Sequence, residues 1–296
     1  MSDASNAARL AARLEVRTVA DLAVELQALL GDTTPRVAYD IIASLLDVPR
    51  FWPASNRGES VDDAVCRSSR VAVERLRAGA PFAYGVCRAA FRHLTLDVDE
   101  RVLIPRPETE MLVEWVLGLS AGLKGCAIDI GTGSGAIALS LASEGGFDRV
   151  IATDVSNDAL AVASRNAATL AGALRAPVEF RHGSLLAPVK DVRGAAVVVS
   201  NPPYIAYHEA AELPSSVRDW EPALALVSGA DGMTATLAII RGAAELLQQD
   251  GVLALEVDAR RASLVAESLA VDPRYREIAV RLDLTGRERF VVARRS

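Results

Sequence analysis

Lysine is nearly missing from this chain of 296 residues. Of its 32 basic residues only Lys124 and Lys190 are lysines, and 38 acidic residues leave a net charge of -6. No broad basic footprint for a nucleic-acid backbone is present, so direct nucleic-acid binding is not expected. Cysteine is scarce too. Cys66, Cys87 and Cys126 are odd in number and widely spaced, with no C-x-x-C pair, which argues against a disulfide framework or a zinc site and fits a reducing cytoplasm. No apolar run approaches the length of a membrane span, and Met1 to Arg17 mixes Asp3, Glu15 and three arginines without the apolar core of a signal peptide. The three histidines, His93, His182 and His208, are scattered and read as structural, and no metal is expected. Repeats and low-complexity tracts are absent beyond a general richness in alanine. A hydrophobic content of 51% with 24% charged residues is that of an ordinary globular chain with a real core.

Residues 1–90 read as a small helical domain. Leu10 and Leu14 are four apart, and Thr18 with Asp21 resembles a capping box ahead of Leu22, Leu26, Leu29 and Leu30, with Gly31 as the stop. Thr34-Pro35 starts a second helix whose apolar face is Ile41, Ile42, Leu45 and Leu46. Ser60 with Asp63 starts a third, which ends at Gly79-Ala80-Pro81. The period then changes. Leu94, Leu96 and Val98 alternate, Asp99-Glu100 make a turn and Val102-Leu103-Ile104 follow, so residues 91–104 read as a β-hairpin linker. Pro105-Arg106-Pro107-Glu108-Thr109-Glu110 leads into a helix from Met111 to Leu119.

From Gly125 strands and helices alternate. Ala127–Ile130, Val150–Thr153, Val178–Arg181, Ala195–Ser200 and Val252–Val257 read as strands, separated by helices that begin near Ala136, Asp158 and Thr234. This predicts an open, doubly wound, Rossmann-like α/β sheet over residues 105–296, with its ligand at the carboxyl ends of the strands. Asp129, the loop Gly131-Thr132-Gly133-Ser134-Gly135, Asp154 and Asn201-Pro202-Pro203-Tyr204 all fall at such ends.

Two of these features carry chemistry. Gly131-x-Gly133-x-x-Ala136 followed about 20 residues later by Asp154 satisfies an adenosine-binding pattern, in which glycines admit a ligand to the backbone and the acid takes the ribose hydroxyls. Both NAD and S-adenosylmethionine contain an adenosine. A carboxylate at Asp129 favours the second, since it suits an ammonium and a sulfonium and repels a pyrophosphate. The other feature is the apolar run Val197-Val198-Val199 that stops at Asn201-Pro202-Pro203-Tyr204. Proline has no N–H and biases the residue before it toward extended geometry, so the chain leaves the sheet as a stiff segment. The Asn201 side chain and the Pro202 carbonyl can both accept from one planar –NH2 group, and Tyr204 offers it a flat face. A proline pair after a strand is ordinarily only a turn. An amine clamp has no use in hydride transfer, which weighs against an NAD-dependent oxidoreductase.

Val102-Leu103-Ile104-Pro105-Arg106-Pro107-Glu108-Thr109-Glu110, Asp129-Ile130-Gly131-Thr132-Gly133-Ser134-Gly135-Ala136 and Ser200-Asn201-Pro202-Pro203-Tyr204-Ile205 together resemble the HemK/PrmC family of release-factor glutamine N5-methyltransferases. Glu221-Pro222-Ala223-Leu224-Ala225-Leu226 with Gly229-x-Asp231-Gly232, and Asp283-Leu284-Thr285-Gly286-Arg287-x-Arg289, are similar to it as well. The resemblance runs from about residue 80 to the C-terminus. It implies a class I methyltransferase fold and methyl transfer from S-adenosyl-L-methionine, leaving S-adenosyl-L-homocysteine. The implied acceptor is the glutamine of the Gly-Gly-Gln loop of class 1 peptide chain release factors, docked with help from the helical domain. In that frame Asn201, Pro202 and Tyr204 hold the acceptor amide, with Pro203, Arg106 and Glu108 about the substrate. Asp129, Gly131, Thr132, Gly133, Ser134, Gly135, Asp154, Ser184, Leu185 and Asn201 are implied for the cofactor. Two departures stand out: Ser184 and Leu185 replace an acid and a large residue, and Glu256-Val257-Asp258-Ala259 lacks a glycine. Rival readings are a methyltransferase of a nucleobase exocyclic amine, disfavoured by the acidic balance, one acting on a ribosomal-protein glutamine, and a binding module with a vestigial pocket.

Overall fold

The computed structural model describes residues 17–31 and 36–296. The expected pair Leu10/Leu14 and the helix start at Thr34-Pro35 lie outside them. The chain divides into two compact units at Arg88 and Ala89.

In the first unit, β1 (Arg17–Thr18) pairs antiparallel with β2 (Ser60–Val61) beside α1 (Val19–Leu30), α2 (Arg36–Leu46) and α3 (Asp63–Arg77). Thr18 caps α1: its Oγ1 accepts from Asp21 N at 3.2 Å, while Asp21 Oδ2 accepts from Thr18 N at 3.2 Å. Gly31 ends the helix at φ 68°, in the left-handed region that closes helices. The start of α3 differs from the sequence expectation. Ser60 is engaged in strand pairing, so the cap falls to Asp62, whose Oδ1 accepts from Val65 N at 2.7 Å. Leu22, Leu26, Ile41, Ile42 and Val73 close the core between the helices. Thr18→Ala removes one half of the capping box and is expected to cost about 1 kcal/mol. Urea unfolding checks this; an unchanged midpoint contradicts the cap's contribution.

The second unit opens on a hairpin of β3 (Arg88–Phe91) and β4 (Leu94–Asp97), earlier in the chain than the sequence suggests. Its turn is Arg92-His93, and Val102–Ile104 form no strand. Arg92 fixes the turn at φ 53°, because its guanidinium donates to Glu144, Glu114 and the Glu110 carbonyl. Asp99, expected to turn the hairpin, instead binds Arg101 through both its backbone and its guanidinium. α4 then runs over Pro107–Leu119, four residues earlier than Met111, because proline is preorganised for the first helical position.

The sheet follows, built from β5 (Cys126–Ile130), β6 (Arg149–Asp154), β7 (Val178–His182), β8 (Ala195–Ser200), β9 (Leu247–Glu256), β10 (Tyr275–Leu282) and β11 (Glu288–Arg295). Their order is β10-β11-β9-β8-β5-β6-β7. The five strands from β9 to β7 are parallel, whereas β11 is antiparallel to both β9 and β10. β10 and β11 are not legible as an extension of the parallel series, since three charged residues, Arg276, Glu277 and Arg281, dilute β10. Helices α5 (Ala136–Glu144), α6 (Asn157–Thr169), α7 (Thr234–Leu246) and α8 (Ala262–Ala270) complete the layers. The Val197-Val198-Val199 run is buried on both faces, as parallel strands covered by helices require. Val197 and Val199 join Leu112 and Val116 of α4, while Val198 joins Ile239 of α7 and Val265 of α8.

The chain builds β5, β6 and β7 outward in one direction, then returns to place β8 on the other side of β5. The reversal opens a crevice between β5 and β8 at their carboxyl ends, where ligands of such sheets bind. Ile130 is paired with Ser200, so Gly131 and Asn201 leave the sheet side by side.

Candidate active site

Gly131 and Gly133 hold φ of 75° and 56°, and a Cβ on either would meet nothing within 4 Å. Their requirement is therefore conformational: the turn from β5 to α5 runs through the left-handed region, which glycine enters without cost. Beyond them Asp154, at the end of β6, uses each carboxylate oxygen once. Oδ2 accepts from Gly133 N and Oδ1 from Ser156 N, both at 2.9 Å. Each oxygen retains a lone pair for a second donor.

These groups line a cavity of about 350 Å³, with Ser184, Leu185 and Asn201 also in its wall. The volume falls in the range of small-molecule sites. Leu185 stands at φ 48°, a strained position for a leucine, next to Gly183, where a Cβ would come within 2.6 Å of Pro188. Pro202 and Pro203 line the same cavity. A second cavity of about 400 Å³ is lined by Arg106, Tyr204, Asp258 and Arg289. Asn201 belongs to both walls, together with Leu103 and Ala225.

Asn201 is held from behind. Its Nδ2 donates to Thr109 Oγ1 at 3.2 Å, and Thr109 donates to Glu256 Oε2 at 2.7 Å. Burial pushes the Glu256 carboxyl up to about 7 despite the Thr109 bond. Tyr204 is pushed up to about 12, first by burial and then by Glu256, so it is a neutral phenol at any physiological pH. The Arg289 guanidinium stands 5.9 Å over its ring. Arg106 is paired with Glu221 at 2.5 Å, and the same carboxylate accepts from Ile104 N at 3.2 Å.

Five expected residues, Glu108 among them, stand elsewhere than in the cavity walls. Asp129 is buried beneath the loop, and Thr132, Ser134 and Gly135 are buried members of the loop itself. Asp129 is not exposed at all. Its Oδ2 accepts from Thr132 Oγ1 at 2.7 Å and from Ala138 N at 3.2 Å, tying the loop to the first turn of α5. Its Oδ1 is buried without a partner, and burial raises the carboxyl to about 7 against those two bonds. Glu108 lines neither cavity. Thr109, Glu221, Glu256 and Arg289 hold the site but were not singled out from the sequence; each lies within a recognisable motif, yet only the fold shows what it touches. Among the described residues no cluster suited to a metal ion occurs, and no helix is long and apolar enough to cross a membrane.

The raised value of Asp129 has a sign. Its folded carboxyl holds a proton that the unfolded one has already lost between about 4 and 7, so its contribution to stability declines as pH rises through that window. Asp129→Asn is expected to raise the melting midpoint at pH about 8, by about 1 kcal/mol of stability, and to leave it nearly unchanged at pH about 4. Thermal unfolding of both proteins at the two pH values decides it.

A family model described as Methyltransferase small domain matches residues 106–215. The chain is 37% identical to the release factor glutamine methyltransferase of Mycolicibacterium smegmatis over 95% of its own length and 98% of that protein. It is 42% identical to the enzyme of that name from Moorella thermoacetica, covering 76% of this chain and 78% of the relative. Among solved structures, the hMettl16 catalytic domain in complex with a MAT2A 3'UTR hairpin aligns with a TM-score of 0.56 over 87% of this chain and 91% of that one, at 18% identity. That likeness is one of fold.

Proposed function

The chain belongs to the release factor glutamine methyltransferases, and from that premise we propose that Asn201 and Pro202 present the acceptor glutamine of a release factor to S-adenosylmethionine. The enzyme transfers a methyl group to the side-chain amide nitrogen (N5) of the glutamine in the Gly-Gly-Gln loop of class 1 release factors. The observation that carries the site assignment is the position of Asn201, in the wall between two cavities, with one amide edge turned inward to Thr109.

The residues of the first cavity fit the cofactor. Asp154 retains lone pairs for ribose hydroxyls, and the backbone at Gly131 and Gly133 is open to close approach; Asp129 acts only from beneath, by tying the loop to α5. Ser184 and Leu185 border the adenine. When bound, the cofactor supplies a methyl carbon made electrophilic by its sulfonium.

The protein's own work is positioning. A carboxamide nitrogen is a poor nucleophile because its lone pair is delocalised. Asn201 Oδ1 and the Pro202 carbonyl accept from its two N–H groups and hold the nitrogen toward the first cavity. Those bonds strengthen as positive charge develops on nitrogen, which lowers the barrier rather than only tightening binding. Tyr204 packs on the amide plane, itself pressed by Arg289. As the new C–N bond forms and the C–S bond breaks, one amide proton leaves to solvent, so no strong base is needed. Arg106, anchored by Glu221, borders the second cavity, through which the loop enters. The helical unit docks the remainder of the release factor.

Mass spectrometry of a release factor incubated with the enzyme and S-adenosylmethionine tests this. One methyl group on the Gly-Gly-Gln glutamine is expected. An unmodified release factor, with methylation of a nucleic-acid control instead, overturns it. Glu221→Gln weakens the hold on Arg106 and is expected to raise KM for the release factor about fivefold with kcat within twofold; steady-state kinetics check it.

A further inference from the structure

A hydroxyl group has one proton to give. In the buried chain behind Asn201, Thr109 gives its proton to Glu256, so its oxygen has only lone pairs left and must receive an N–H from Asn201. Thr109 is 5% exposed and Glu256 1%, so water does not offer either an alternative partner. The direction of these two bonds is what turns Nδ2 of Asn201 inward and Oδ1 outward.

We propose that Thr109 and Glu256 are positioning residues that set which end of the Asn201 carboxamide faces the acceptor glutamine, and that a proton on Glu256 releases this setting. The inference rests on the reading of Asn201 given above. An ionised Glu256 can only accept, which forces the relay into one direction. A protonated Glu256 can donate to Thr109 Oγ1, whose own proton then turns toward Asn201. The amide rotates to present Oδ1 inward and Nδ2 to the acceptor's N–H groups, donor against donor. Glutamine then loses half of its receptor.

The charged groups around Glu256 are Arg289 and Arg106, which favour the ionised form, and Glu108, which opposes it. Tyr204 adds no charge in this range. With the carboxyl near 7, the two directions exchange around neutral pH, and methyl transfer rises as pH rises through that value. Asp129 titrates in the same window, so rates are read at saturating cofactor and against Glu256→Gln, in which only the relay has lost its proton switch.

The test has two arms. In single-turnover methylation, Thr109→Val is expected to lower kcat about tenfold with cofactor affinity within twofold, Thr109→Ser to restore it to within about twofold, and Glu256→Gln to flatten the rise between pH about 6 and 8. In the second arm, the 15N-labelled side-chain amide of Asn201 is followed by NMR without substrate. Its resonances are expected to shift with a midpoint near 7, and this shift to vanish in Glu256→Gln. A Thr109→Val enzyme of wild-type kcat, or an Asn201 resonance that titrates equally in Glu256→Gln, overturns the relay. A relay seen by NMR in a protein that leaves release factors unmodified sinks the functional reading and leaves the relay standing.

Discussion

Replacing Asn201 by alanine is expected to raise the barrier to methyl transfer by about 2–4 kcal/mol, slowing it by roughly thirtyfold to nearly a thousandfold. The side chain contributes at two levels. In the proposed role its Oδ1 is one of two acceptors for the glutamine N–H groups, and its Nδ2 bond to Thr109 removes the rotational freedom that a lone amide would have. Alanine leaves the Pro202 carbonyl as the remaining acceptor, so the nitrogen is bound by one edge and is free to swing out of line with the methyl carbon. The loss belongs in kcat, because the bond in question strengthens as the transition state forms. Asn201 also borders the first cavity, proposed above for the cofactor, so affinity for S-adenosylmethionine is measured separately by titration calorimetry. Single-turnover rates at saturating concentrations of both substrates give the decisive number. Wild-type turnover in the variant ends the assignment.

Asp154→Ala acts on the other side of the same wall. Hydrogen bonds to a charged group contribute about 1.5–3 kcal/mol, so cofactor affinity is expected to fall by roughly ten- to a hundredfold. Part of that loss is indirect. The carboxylate holds Gly133 N and Ser156 N, and without it the glycine loop loses its tie to the start of α6. The sheet itself stays intact, since Asp154 lies past the buried part of β6. Calorimetric titration with S-adenosylmethionine, beside a circular dichroism spectrum unchanged from wild type, tests both halves. Equal affinity removes the ribose assignment.

The parallel sheet was legible because its strands are covered on both faces and read as unbroken apolar runs. The glycine loop, Asp154 and Asn201-Pro202-Pro203-Tyr204 were legible because backbone conformation restricts which residues can stand there. What sequence could not supply was direction. Asp129 reads as a carboxylate at a strand end, yet pleating carries it inward, where it ties the loop to α5. The linker hairpin was displaced for a related reason: Asp99-Glu100 is a good local turn, but three contacts to Arg92 from α4 and α5 outweigh it. Thr109 and Glu256 are 147 residues apart, and nothing local in either pattern connects them.

The strand β11 lies between β9 and β10 although the ribosome makes it after both. Until residues 288–295 have emerged, β9 presents one open edge of unpaired amides and carbonyls, next to the carboxyl group of Glu256. A nascent or truncated chain is thus exposed to strand-to-strand association at that edge. Premature stop codons upstream of Glu288 are consequently expected to yield insoluble protein rather than a shortened active enzyme.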